Sequence, residues 1–169
     1  MTRDDAWQFL VIGRQLERMA FLSSITIRIL GLSEEDCEAV LGALLEIGNI
    51  SMTYRARYQR QPELLPVLDL LVFDELNPHS ICFQLAALNG QLELIHSRLG
   101  FRPVNDPRSL LQTLRSFDLG YLEKTHETQA EPLTALLVAS ERLAHGLSDE
   151  LTQRFFVHAG ERPQTSVAA

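Results

Sequence analysis

Three charged residues near the start of the chain, Arg14, Glu17 and Arg18, could together bind an anion. A guanidinium group can hold a phosphate or a peptide carboxylate through two parallel hydrogen bonds. Glu17 lies three residues after Arg14 and directly before Arg18, so it can neutralise part of their charge. The cluster therefore has two interpretations: a structural group of ion pairs that fixes the register of a helix, or a binding site for an anion.

The segment from Trp7 to Leu30 must position these charges, and its spacing predicts one long helix. At about 100° per residue, the three charges share one stripe with apolar side chains. That stripe consists of Trp7, Leu10, Val11, Arg14, Glu17, Arg18, Phe21 and Ile25. Its opposite side carries Phe9, Ile12, Leu16 and Met19, so we expect a central helix, with only a narrow strip at Gln8, Gln15 and Thr26 in water. Charges on a buried stripe need partners, because an unpaired buried charge is costly.

A second group of candidates, Tyr54, Arg55 and Arg57, lies toward the end of the second predicted helix. Residues two apart on a helix point in different directions, so we expect at most one of the two arginines to face the core. A cation near the C-terminus of a helix is also favoured by the helix dipole. The arginine that does not face the core is therefore explained as a hydrated cation at the C-terminus of the helix.

A third group, Asp74, Asn77 and Ser80, surrounds a sharp turn. Asn77 is suited to cap the next helix, with Pro78 as its first residue. Asp74 follows an apolar run, and a buried carboxylate that faced Arg14 or Arg18 would balance their charge. We therefore predict a long-range ion pair between Asp74 and one of these arginines.

The spacing of apolar residues along the whole chain predicts an all-α helical bundle of four long helices and one to three short ones. The long helices are expected at residues 7–30, 34–60, 78–99 and 130–158, and Ser33 is expected to cap the second. Short helices are expected at 64–73, after a cap at Asn105 or Asp106, and at 117–127. Residues 1–158 are predicted to form a single domain. Residues 159–169 contain Pro163 and small polar residues, which predict a disordered tail.

Composition narrows the classes of function. The formal net charge of −7 argues against nucleic acid as a partner, because phosphate binding needs a basic face. No apolar run approaches the roughly 20 residues of a membrane span, and the polar start predicts a cytoplasmic protein without a signal segment.

Cys37 and Cys82 are expected to be reduced thiols in the core. The five histidines show no metal-ligand spacing and no phosphate loop is present, so we expect neither a metal nor a cofactor.

Three stretches of the chain together resemble the alpha-E domain family, which comprises bacterial α-helical proteins named for a Glu-Arg motif. The first is Gly13–Arg18 within the apolar run that starts at Trp7, with Glu17 and Arg18 as the motif. The other two are residues 54–58 and 66–80, and they follow in the same order as in the family. The resemblance covers most of residues 7–156. Family members are typically twice as long, with one such motif near the start and another near the middle, and this chain resembles the second half.

The resemblance implies a partner rather than a reaction. Family members are often encoded beside, or fused to, circularly permuted ATP-grasp proteins and transglutaminase-like proteins. The first hypothesis is therefore an accessory domain that docks on an ATP-grasp-type amide ligase or on the missing alpha-E half. The second is an enzyme that acts on peptides or amides, in which Arg14 and Arg18 hold an anionic group and Glu17 or Asp74 acts as acid or base. The third is a bundle that associates with a second copy of itself.

Overall fold

The computed structural model describes residues 3–123 and 131–157, and within them the fold is all-α, as predicted. The helices are α1 (Arg3–Leu30), α2 (Glu34–Ile47), α3 (Ser51–Tyr58), α4 (Leu64–Leu68), α5 (Ile81–Leu99), α6 (Pro107–Arg115), α7 (Gly120–Glu123) and α8 (Glu131–Phe155). The tail predicted at residues 159–169 lies outside the described residues. None of the described helices has the length and apolarity that crossing a membrane requires.

Helix α1 is central, because it packs against both α8 and α5. Its buried face is formed by Ile12, Leu16, Met19 and Leu22, and continues through Ser23, Thr26 and Ile29. The prediction that the stripe containing Trp7 and Phe21 faces the core is wrong, since these side chains are 60% and 49% exposed. The prediction that Thr26 faces water is also wrong. Its hydroxyl is buried and donates to the carbonyl of Leu22, which removes the cost of burying it.

The second predicted helix, residues 34–60, is two helices that meet at a bend. Its start agrees with the sequence: the Ser33 hydroxyl accepts a hydrogen bond from the Asp36 amide and donates one to the Asp36 carboxylate. The bend follows Gly48, whose missing side chain leaves room for Leu71, and Asn49 adopts a left-handed backbone with φ of 56°. A continuous helix over residues 34–60 would place Met52 on the same apolar face as Leu41 and Leu45, but after the bend it is 86% exposed.

The short helix predicted at residues 64–73 is present, and its second half is wider than an α-helix. Helix α4 continues as a π-helical turn over Asp69–Phe73, which ends where the Asp74 amide donates to the Asp69 carbonyl at 2.9 Å. Leu70, Leu71 and Val72 are fully buried there. This turn anchors the loop that leads from Asp74 to α5.

We predict that Gly48→Ala destabilises the fold by about 1–3 kcal/mol, because the added methyl group overpacks the bend. An ideal Cβ at Gly48 would lie 2.8 Å from Cδ2 of Leu71 and 3.2 Å from the Leu44 carbonyl oxygen. Urea unfolding measures the change. Gly42→Ala, on the same helix with no atom within 4 Å of its Cβ, is the matched control and should be neutral or stabilising by up to about 1 kcal/mol. Equal effects of the two variants would contradict this explanation of the bend.

Candidate functional site

An open cleft of about 620 Å³ runs along the stripe of α1 that carries the three charges. The α1 side is formed by Val11, Arg14, Gln15, Glu17, Arg18, Phe21 and Leu22. The other sides are formed by Ile47, Gly48 and Asn49 at the bend after α2, and by Pro78, His79, Phe83 and Gln84 at the start of α5. The charges that the sequence singled out therefore lie in a concave surface, which is the usual shape of a binding site.

Arg14 and Glu17 are exposed, and neither forms an ion pair with any residue that the structure describes. The expectation of a buried ion-pair cluster at these positions is therefore wrong. The physical reason is the orientation of α1. Its other apolar side fills the core, so the charged stripe remains hydrated and needs no internal partner. The interpretation of Arg14 and Glu17 as ion-paired residues that fix the register of α1 is therefore not supported.

Arg18 is half-buried and reaches across the cleft to His79, with 2.7 Å between its Nη1 and Nδ1 of the imidazole ring. A guanidinium group can only donate hydrogen bonds, so Nδ1 must accept. The ring is therefore neutral and carries its proton on Nε2. Burial of the ring, together with the positive charge of Arg18, lowers the pKa of His79 below its ordinary value and favours this neutral form.

Asp74 does not face Arg14 or Arg18, so the predicted long-range ion pair is wrong. Its carboxylate lies 2.8 Å from a guanidinium nitrogen of Arg57, on α3, and is only 9% exposed. The other carboxylate oxygen accepts the Leu76 amide at 2.9 Å. Arg57 also lies 3.6 Å from Asp69, which accepts a hydrogen bond from the Tyr58 hydroxyl. Asp74 is thus held by α3, and Arg18 meets a neutral acceptor instead.

The loop that carries His79 is fixed by Asn77 and Ser80. Asn77 is not the helix cap: its amide nitrogen donates to the Leu70 carbonyl at 2.8 Å, and its amide oxygen accepts the backbone N–H of His79 at 3.0 Å. Ser80 is the cap of α5, where its hydroxyl accepts from the Phe83 amide and donates to the Asp74 carbonyl. Both residues hold the loop that brings His79 to the cleft, and neither lines it.

Tyr54 and Arg55 are not part of the cleft. Tyr54 is buried, and its hydroxyl donates to the Gln61 carbonyl at 2.9 Å and accepts the Glu63 amide at 3.0 Å, which fixes the connection from α3 to α4. Arg55 is exposed. Arg57 reaches Asp74 but its side chain is 42% exposed, so neither arginine faces the core, within the expectation of at most one.

Sequence reasoning missed three residues of the site: His79, Gln15 and Gln84. His79 is next to Pro78 in a motif that was already singled out, and its neighbour Ser80 was chosen instead. Gln15 was assigned to water, yet its amide oxygen is buried at the cleft without a hydrogen-bond partner in the described structure. Gln84 is buried on α5, and its amide donates to the Pro78 carbonyl. No spacing rule distinguishes these amides from ordinary surface residues.

Metal and thiol chemistry receive no support from the described residues. Within residues 3–123 and 131–157, no three His, Cys, Asp or Glu side chains are close enough to hold a metal ion. His126 and His158 lie outside these ranges. Both cysteines are buried, and burial raises the pKa of the Cys82 thiol to about 12, so it is not a nucleophile at neutral pH.

Comparison with known proteins identifies the family. A model of the Alpha-E family, described as a predicted alpha-helical domain with a conserved ER motif, matches residues 1–156. The chain belongs to the Alpha-E family. The match covers nearly all of the chain and confirms the family resemblance drawn from the sequence motifs.

The curated relatives that match are uncharacterized proteins of Mycobacterium bovis and Mycobacterium tuberculosis. Each is 28% identical to this chain over 95 residues, which is 55% of the chain and 11% of the relative. The chain therefore aligns with a small part of much longer relatives. No solved structure gives a significant match.

We predict that His79 makes the stability of the fold fall on acidification. Its pKa in the folded protein is below 6.5, the ordinary value it regains on unfolding, so the unfolded chain binds protons more readily as the pH falls. The stabilisation is complete above about pH 6.5 and is lost as the pH falls toward the lower folded value. Unfolding free energies of the wild type and His79→Gln, measured between about pH 7 and about pH 5, should show a shallower decline in the variant. His145→Gln, which changes an exposed histidine on α8, is the control and should keep the wild-type slope.

Proposed function

We propose that this Alpha-E chain is a helical interaction domain whose cleft binds an anionic group of a protein partner. The observation that carries the proposal is Arg14. It is an exposed guanidinium that lines the cleft beside Arg18, and it has no acidic partner among the described residues. A guanidinium that is not paired within its own chain keeps all of its donors available for a carboxylate or phosphate.

Exposed apolar side chains beside the cleft support binding to a protein rather than to a small ion alone. Trp7 is 60% exposed, Leu10 is 52% exposed, and Phe21 continues the same stripe into the cleft. Exposed aromatic side chains next to arginine are the composition of the central residues of protein interfaces. The stripe on α1 thus offers both a charged and an apolar contact.

The expected partner is an ATP-grasp-type amide ligase, or the missing alpha-E half, as the family resemblance implies. Each curated relative is much longer than the part that aligns with this chain. A second copy of the chain is another candidate for the apolar stripe, and the molar mass by light scattering at high concentration distinguishes it. A monomer in that measurement excludes self-association as the role of the stripe.

An enzyme that acts on peptides or amides is the second candidate function, and the exposure of Glu17 in the open cleft favours it. A carboxylate next to two arginines could move a proton on a bound substrate. A catalytic carboxylate is usually oriented by a hydrogen bond from a third group, and none reaches Glu17 from the described residues. Asp74, the other candidate acid or base, is occupied by Arg57 and the Leu76 amide. Binding is therefore the better-supported function.

We predict that Arg14→Glu reduces capture of a co-expressed ATP-grasp-type ligase by at least about tenfold, because it replaces an attraction with a repulsion at the contact. The matched control is Arg28→Glu, which makes the same charge change at an exposed position on α1 outside the cleft. Arg14→Glu should retain the wild-type unfolding midpoint, since substitutions of exposed residues usually cost less than about 0.5 kcal/mol. Arg28→Glu, in the last turn of α1, should cost about 1 kcal/mol through the helix dipole, which leaves the domain folded. If both variants reduced capture equally, or if neither did, binding through the cleft would be contradicted.

A further inference from the structure

The charges that line the cleft match a ligand with one negative charge. Arg14 and Arg18 contribute two positive charges, Glu17 contributes one negative charge, and His79 is neutral because Arg18 donates to its Nδ1. One net positive charge remains. A phosphate monoester carries about two negative charges at neutral pH, so it would exceed this charge and be repelled by Glu17. A carboxylate fits the balance.

The hydrogen-bonding groups of the cleft require a ligand that donates as well as accepts. The guanidinium groups can only donate, and their flat fork matches the two oxygens of a carboxylate. Gln15 lines the cleft, and its amide oxygen is buried without a partner among the described residues, so a rotation of this side chain presents it to a ligand. The exposed Glu17 carboxylate lines the same surface. Both are acceptors. An unpaired buried acceptor costs free energy. A ligand with an N–H group beside its carboxylate can donate a hydrogen bond to such an acceptor, whereas a simple anion cannot.

The walls of the cleft add an apolar contact of limited size. Phe21, Phe83 and Ile47 lie around the charged residues, and the cleft of about 620 Å³ is in the range that holds one small ligand or a few residues of a peptide. An apolar side chain attached to the same carbon as the carboxylate would reach these walls.

We infer that the cleft binds an α-carboxylate that carries an N–H group on the same carbon. A peptide C-terminus brings this group with one negative charge, whereas a free amino acid adds an ammonium group, which the Glu17 carboxylate would face. Arg14 and Arg18 hold the carboxylate, Gln15 and Glu17 accept from the N–H group, and the apolar walls hold the side chain. This inference deepens the proposed function, because it names the chemical class of the anion that the partner presents.

Titration calorimetry with five small probes tests the inference on the full chain. The probes are N-acetyl-alanyl-leucine, its C-terminal amide, free leucine, 4-methylpentanoate and inorganic phosphate. We expect the C-terminal amide, which lacks the negative charge, and 4-methylpentanoate, which lacks the N–H group, each to bind at least about tenfold more weakly than N-acetyl-alanyl-leucine. Tighter binding of the acetylated dipeptide than of free leucine indicates a peptide terminus, and the reverse order indicates an amino acid.

Variants separate this inference from the proposed function. Glu17→Gln should weaken the binding of free leucine and leave phosphate binding unchanged or stronger, whereas Arg14→Ala should weaken every anionic probe. Arg28→Ala is the control and should change none of them. If phosphate or 4-methylpentanoate binds as tightly as N-acetyl-alanyl-leucine and Arg14→Ala weakens it, the inference is overturned while anion binding stands. If no probe binds and Arg14→Glu also leaves ligase capture unchanged, both fail.

Discussion

The ion pair between Arg57 and Asp74 is the constraint on which the geometry of the cleft depends. It joins α3 to the end of the π-helical turn at 2.8 Å, where the Asp74 carboxylate is nearly buried. With Asp74 paired to Arg57 and the adjacent Glu75 paired to Arg115, neither carboxylate is available to Arg18, which donates to His79 instead. Arg14 and Glu17 are then left at the open surface. A pair that lies outside the cleft thus decides which charges inside it remain available.

One face of α1 packs in the core, and another face of the same helix lines the cleft. Ile12, Leu16 and Met19 bury one side of α1 against its neighbours, and this orientation turns Arg14 and Arg18 toward the α2 bend and the start of α5. Gly48 permits that bend by allowing Leu71 to pack closely. The cleft is therefore built from one face of α1, the turn after α2 and the loop before α5, and hydrogen bonds of Asn77 and Ser80 fix that loop.

Local features were the part of the fold that the sequence could predict. The helix class follows from apolar spacing, and the caps at Ser33 and Asp106 follow from side chains that accept a hydrogen bond from the first turn of a helix. Arg14, Glu17 and Arg18, which the sequence placed on one stripe, all line the cleft. These predictions succeed because they depend on residues within a few positions of each other.

The orientation of α1 and the partner of Asp74 could not be predicted in the same way. Both stripes of α1 are apolar, so periodicity alone does not decide which one is buried. Three arginines, Arg14, Arg18 and Arg57, were available to Asp74, and only packing selects among them. The bend after Gly48 depends on contact with Leu71, 23 positions away by sequence. Gln15 and His79 become site residues only when α1 and α5 come together.

The protonation state of the His79 ring tests most directly whether the loop after Asp74 is seated against α1 as described. Long-range ¹⁵N–¹H correlation spectra of the labelled protein report which ring nitrogen carries the proton and the pH at which the ring titrates. We expect the proton on Nε2 at neutral pH and a titration point below the ordinary 6.5, because Arg18 donates to Nδ1. A proton on Nδ1, or a titration point at or above 6.5, would contradict the account.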